Sequence, residues 1–328
     1  MTTRRALLLT PLLALAFVEP ASPSGGSMQA AEDGAPHLSA AASLGLPAPR
    51  VAELQQAIDA HNYPTAEEIL LAEINRDPRS ASAGRMLAFA GTVYFLNHDY
   101  LNAAIAWKKS DAIAPLAPSL HFSLAMTYIR MAHSDWARPE IESLAQHYPR
   151  NPLFPYWLGR VDYDAHQYDA AIGHFQEAIK LDPAMARAYD NLGLCYYYEN
   201  QNAQAIESYN KAIELDRGSQ HPSAWPYLNL AITQQFLGQP ANAQANLQEA
   251  LRLDPSFAQA HFQLGTVLED LDQLNNAVVE LREAARLNPA YPEPHLVLAR
   301  IYHRLGQQQA AQDEAEAYKR LHPPAATP

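Results

Sequence analysis

Residues 152–185 read PLFPYWLGRVDYDAHQYDAAIGHFQEAIKLDPAM, and this stretch recurs along the chain in altered copies. Its Ala171 is one of eight alanines, at 66, 103, 137, 171, 205, 243, 277 and 311, separated by 37, 34, 34, 34, 38, 34 and 34 residues. Twelve residues after the alanine stands a proline in seven of the eight units (Pro78, Pro115, Pro149, Pro183, Pro255, Pro289 and Pro323), while the fifth has Arg217. A fixed period of this length means that each unit is one supersecondary element stacked on its copies.

With Pro152 as position 1, position 8 is Gly91, Ala125, Gly159, Gly193, Ala231, Gly265 or Ala299 in repeats two to eight. Glycine weakens a helix, so its return in mid-helix predicts a neighbour packed too closely for a side chain. The alanine at position 20 suits the reciprocal site on a second helix. Positions 7, 8 and 11 share one helical face, where Tyr94, Tyr128, Tyr196 and Tyr302 add bulk at position 11. The proline at position 32 cannot continue a helix and so ends the second one.

Leu158, Gly159, Ala171, Phe175, Ala178 and Pro183 fall where the tetratricopeptide repeat family has its leucine, glycine, alanine, aromatic, alanine and proline. The chain resembles that family over roughly residues 47–325. The resemblance implies an all-α fold, a right-handed solenoid of helix–turn–helix repeats, here about eight over 51–325. It also implies that first helices line a concave groove, with positions 2, 5, 6, 9, 12 and 13 turned to the ligand. Those positions supply Phe122, Tyr156, Trp157, Arg160, Tyr163, Arg187, Asn191, Tyr197, Tyr198, Asn229, Phe236 and Phe262 as candidate ligand-binding residues. Aromatic and arginine side chains are enriched at binding hot spots. Asn191 and Asn229, both at position 6, have amides able to bond a peptide backbone, and Arg160 with Arg187 could hold a carboxylate. The lysine–asparagine pair of the chaperone-tail clamp is missing: positions 5 and 9 read Tyr156 and Arg160, then Asp190 and Leu194.

The N-terminus is a different object. Arg4 and Arg5 precede an apolar run from Ala6 to Val18. A basic start and a short apolar stretch describe a secretory signal peptide, shorter than the span of about 20 residues that crosses a bilayer. Residues 1–30 are therefore expected to be removed, leaving an exported chain in the periplasm or outside the cell. The alternative is an uncleaved membrane anchor. Residues 31–50, rich in Pro, Ala, Ser and Gly, are expected to be a flexible linker.

A formal net charge of −12 suits neither nucleic acid nor an anionic membrane surface. The single cysteine, Cys195, reads as a small helix residue rather than a reactive thiol. His121, His261 and His295 share position 4 and read as packing residues rather than ligands. HExxH, GxSxG, P-loop and GxGxxG motifs do not occur in the sequence. No cofactor, metal site or catalytic constellation is expected. The resemblance implies a non-catalytic scaffold for a protein or peptide partner, in the cell envelope or outside the cell, or else an accessory subunit of an envelope enzyme or assembly or secretion complex.

Two irregularities carry local expectations. The fifth repeat is four residues longer than the period, which predicts a bulged, mobile connection at 217–224. Pro139 predicts that its helix begins late, near Ala137, or kinks. The polar face of residues 308–320 predicts a self-capping last repeat and a monomer at low concentration.

Overall fold

The computed structural model describes residues 41–322. The expected signal peptide and residues 31–40 of the expected linker lie outside them. Within them are sixteen α-helices and no strand. They form eight consecutive pairs: α1 (Ala48–Asp59) with α2 (Tyr63–Ile74), α3 (Ala81–Leu96) with α4 (Tyr100–Asp111), α5 (Pro118–Arg130) with α6 (Ser134–His147), α7 (Leu153–Asp164) with α8 (Tyr168–Leu181), α9 (Ala186–Tyr198) with α10 (Asn202–Asp216), α11 (Trp225–Phe236) with α12 (Pro240–Leu253), α13 (Ala258–Asp270) with α14 (Leu274–Leu287), and α15 (Glu293–Arg304) with α16 (Gln308–Leu321). The helices group into two compact units that divide between Pro149 and Arg150.

The periodic residues are where the helices of a pair touch. Seven of the eight position-20 alanines are fully buried, and Ala311 nearly so. The group that forbids a side chain at position 8, however, is the residue at position 24. A Cβ on Gly159 would lie 2.8 Å from the Phe175 ring, and one on Gly193 2.5 Å from the Tyr209 ring. Trp107 covers Gly91 in the same way. Each of these three rings is matched by glycine sixteen residues earlier, and a Cβ on Gly265 would likewise lie 2.5 Å from Leu281, whereas Ala125 and Ala231 stand opposite Ile141 and Leu247. The pair is thus one volume shared between two helices, as close packing demands.

Position 15 turns the first helix into the second. Its residue has positive φ in every repeat: His61, His98, Ala132, His166, Asn200, Gly238, Asp272 and Gly306. Only two of the eight are glycine, so the turn is imposed by packing on residues that resist it.

Two expectations need correction. The segment 41–50 is not a linker: Ala41–Leu44 forms a 3-10 helix whose Ala41 and Leu44 are buried among Leu54, Leu70 and Met86, and α1 begins at Ala48. A run of small residues looked unstructured because its few apolar side chains gain their burial only from the next helices. Helix α6 begins at Ser134 and runs through Pro139, earlier than that proline suggested. Pro139 is its sixth residue, so one amide donor is lost just past the first turn, and Ala137, Ile141 and Leu144 still bury their side chains. Residues 217–224 do form a connection without helix, closed by the Ser223 amide donating to the Asp216 carboxylate.

Candidate functional site

In the second unit the first helices α7, α9, α11, α13 and α15 lie side by side, each touching the next. The groove register, positions 2, 5, 6, 9, 12 and 13, therefore makes a continuous stripe there.

At α7, α9 and α11 the stripe has a polar floor and an aromatic edge. Tyr156 is buried, packed on Trp157 and Phe175 with centroids 5.4 and 5.9 Å away, and the Arg187 guanidinium sits 4.7 Å above its ring. Burial works against the charge on Arg160, but Tyr156 and Asp164 hold it charged, with its pKa raised. The Arg160 Nε is buried and has no hydrogen-bond partner. Across from it Asp190 accepts a hydrogen bond from Asn229 Nδ2 at 2.9 Å. Burial pushes the Asp190 carboxyl up to about 6, against the opposing pull of Asn229 and of the Arg160 charge. Rings run along the edge: Tyr163 against Tyr198 at 5.9 Å, Tyr198 against Tyr197 at 5.6 Å, and Tyr197 against Phe236 at 6.0 Å. Tyr168, at the start of α8, stacks on Tyr198 at 4.8 Å. Burial and the Tyr198 phenol push the Tyr163 phenol well above its ordinary range. The ladder ends in Phe236, which is 59% exposed.

At α11, α13 and α15 the same register is filled by polar side chains that bond one another. Gln235 donates to Asp270 at 2.6 Å and accepts from Gln263. Glu269 receives Arg300 through two hydrogen bonds of 2.9 and 2.5 Å, and Arg304 at 3.3 Å, while Arg304 also donates to Asp272 at 2.7 Å.

Three profiles match the chain: one described as Tetratricopeptide repeat over residues 184–256, one as TPR repeat over 159–198, and a second Tetratricopeptide repeat over 228–292. The chain is a tetratricopeptide repeat protein. Among solved structures it is similar to a tetratricopeptide repeat protein from Parabacteroides merdae, with TM-score 0.61 and 14% identity over 82% of this chain and 97% of that one. It is also similar to PilW, titled a type IV pilus biogenesis factor, with TM-score 0.58 and 23% identity over 64% of this chain and 95% of that one. At such identities the likeness concerns the fold alone. A DnaJ homolog subfamily C member 7 homolog from Schizosaccharomyces pombe is 26% identical over 162 residues, 46% of this chain and 34% of its own length. The chain thus spans about a third of that relative's length. Tetratricopeptide repeats serve as scaffolds for protein and peptide partners.

Not every candidate of this tetratricopeptide repeat protein reaches the groove surface. Phe122, Tyr156 and Trp157 are buried, at 5, 4 and 5% exposure, so these rings are packing residues between helices rather than open anchors. Phe122 also belongs to the other compact unit. Phe262 is half-buried against Tyr291, 5.2 Å away. Asn191 and Asn229 are buried and each spends an amide N–H inside the chain, Asn191 on its own helix at the Arg187 carbonyl. Arg160, Tyr163, Arg187, Tyr197, Tyr198 and Phe236 remain at the stripe's surface or partly open to it.

The residues that were missed are Asp190, Gln235, Gln263, Glu269, Asp270, Arg300 and Arg304. All stand on or beside the groove positions, so register alone would have found most of them. Selection by residue type, aromatic or amide, passed over them. The position-4 histidines also hold more than packing: His121, His261 and His295 place Nδ1 at 2.9, 2.7 and 2.6 Å from Glu140, Glu280 and Glu314. Each such bond ties a first helix to its second. Cys195 is fully buried, and burial pushes its thiol to about 12, which keeps it protonated.

Proposed function

We propose that this tetratricopeptide repeat protein is a non-catalytic, exported scaffold that holds an extended segment of a protein partner on the first-helix face of α7, α9 and α11. The observation that carries this reading is the aromatic edge Tyr163–Tyr198–Tyr197–Phe236 running beside a floor of Arg160, Arg187 and Asp190. Rings offer apolar area to alternate side chains of an extended peptide. The partly exposed Arg187 guanidinium offers donors to a carbonyl or carboxylate from the peptide. Export rests on the basic and apolar pattern of residues 1–30. Among the described residues no helix is long and apolar enough to cross a membrane. The acidic balance argues for a protein partner over nucleic acid. The polar face of α16, on which only Ala311 is buried, favours a monomer.

The test is capture from an envelope extract on immobilised wild-type chain and on the Phe236→Ala, Tyr197→Ala double variant. Several partners lost together on the variant are expected for a scaffold. One stoichiometric partner would favour the accessory-subunit reading, and capture unaffected by the double variant would remove the groove from consideration.

A further inference from the structure

The first compact unit has an open cavity of about 360 Å³ between its helix α4 and the turn that joins α5 to α6. Leu101, Ala104, Ile105, Lys108 and Lys109 of α4 line one wall, at the i, i+3, i+4, i+7 and i+8 spacing of a single helical face. Tyr128, Met131 and Trp136 of the next repeat form the other. Trp136 is held upright by its neighbours, stacked on His133 at 4.1 Å and edge-on to Tyr128 at 5.7 Å.

Repeat two departs here from its own siblings. At position 18 it has Leu101 where the next six repeats have Asp135, Asp169, Ala203, Ala241, Asn275 and Gln309. At position 22 it has Ile105 against Pro139, Gly173, Glu207, Ala245, Val279 and Asp313. At position 19, repeat three alone has a tryptophan. The register is solvent-facing elsewhere, yet Leu101, Ile105 and Trp136 stand 57, 41 and 48% exposed together. Scattered exposed apolar residues need no explanation, but a cluster around a concavity with a central tryptophan has the make-up of a binding hot spot.

Charge selects the occupant. Lys108 and Lys109 are adjacent at the lip. Lys108 is paired with Glu140 at 3.0 Å, whereas Lys109 is exposed and has no ion-pair partner among the described residues. In a chain of net charge −12, an acidic segment is repelled by the general surface and drawn to this lip. We propose that the cavity between α4 and the α5–α6 turn is a second docking site, which takes a bulky apolar side chain flanked by a carboxylate on a segment of a partner protein. The side chain fills the space between Leu101, Ile105 and Trp136, and the carboxylate meets Lys109.

The probe is a displayed library of random linear peptides, panned on the full chain and counter-selected on an Ile105→Glu variant. Enrichment of sequences with Trp, Phe or Leu beside Asp or Glu is expected. Synthetic versions of those peptides should bind about tenfold or more weakly to Trp136→Ala and to Lys109→Glu. They should bind unchanged to Val279→Glu, which alters the same register position in repeat seven. Circular dichroism checks that each variant is folded, and Lys109→Glu, wholly on the surface, keeps the test valid if Trp136→Ala is not. Three results would overturn the proposal: no enrichment over Ile105→Glu, enriched peptides without the acidic–apolar pairing, or a self-association of the wild-type chain that Ile105→Glu abolishes, since the patch would then be a contact between copies.

Discussion

The two ends of the first-helix stripe share one register and one backbone geometry, yet differ in what their side chains have left to give. From α11 to α15, Gln235, Gln263, Glu269, Asp270, Arg300 and Arg304 bond one another across neighbouring helices. From α7 to α11, rings stack edge to face and stop at an open Phe236, over a floor that contains a buried unpaired arginine nitrogen. A polar group already satisfied within the chain gains little from a ligand, because binding only exchanges one hydrogen bond for another. Facing the groove is therefore not sufficient for recognition. The first end is suited to joining repeats, the second to binding.

The largest effect expected to separate structural from recognition residues lies in two rings of the second end. Tyr156→Ala removes a buried ring packed between Phe175 and the Arg187 guanidinium and should destabilise the chain by about 3–5 kcal/mol. Phe236→Ala should stay within about 0.5 kcal/mol of wild type and instead weaken partner binding. Thermal melts beside a binding titration read both. Equal losses in the two variants would return Phe236 to the core and dissolve the comparison.

A smaller effect tests the joining end. Glu269→Ala leaves Arg300 and Arg304 without their shared carboxylate and should cost on the order of 1–3 kcal/mol in a denaturant melt, with partner affinity unchanged. A loss of affinity larger than the loss of stability would make the ladder part of the binding surface.

The smallest expected effect is on pH. The folded-state pKa of Asp190, about 6, lies above its ordinary value of 3.8, so the native chain holds this proton more tightly than the unfolded one. Its contribution is fully present below pH of about 4 and is lost as pH rises through about 6. Asp190→Asn keeps an acceptor for Asn229 and removes that dependence. The variant should gain on wild type by on the order of 1–2 kcal/mol between pH 4 and 7. A stability difference that does not change with pH would mean that Arg160 and Asn229 offset the burial of the charge.

Much of this was legible in the residues. Period and alanine register fixed the number and order of the helices, because a 34-residue unit with glycine or alanine at position 8 and alanine at 20 packs in one way only. Of the two outcomes Pro139 allows, a late start or a kink, the late start does not occur: local preference would end the helix there, while Ala137, Ile141 and Leu144 on one buried face carry it from Ser134 past the proline. Selecting rings on the groove register found Tyr197, Tyr198 and Phe236 but also Phe122, Tyr156 and Trp157, which are buried. Register places a side chain on a face, and says nothing of how closely the next helix approaches that face.

By itself, then, the sequence determined the all-helical architecture of paired helices and the register that places each residue on a helix face. Only the tertiary structure decided which groups on those faces remain open. Exposure and hydrogen-bond satisfaction depend on partners 19 to 39 residues away, as with His121 and Glu140 or Asp190 and Asn229. Local periodicity does not encode these pairings, because each is set by how one helix packs on the next.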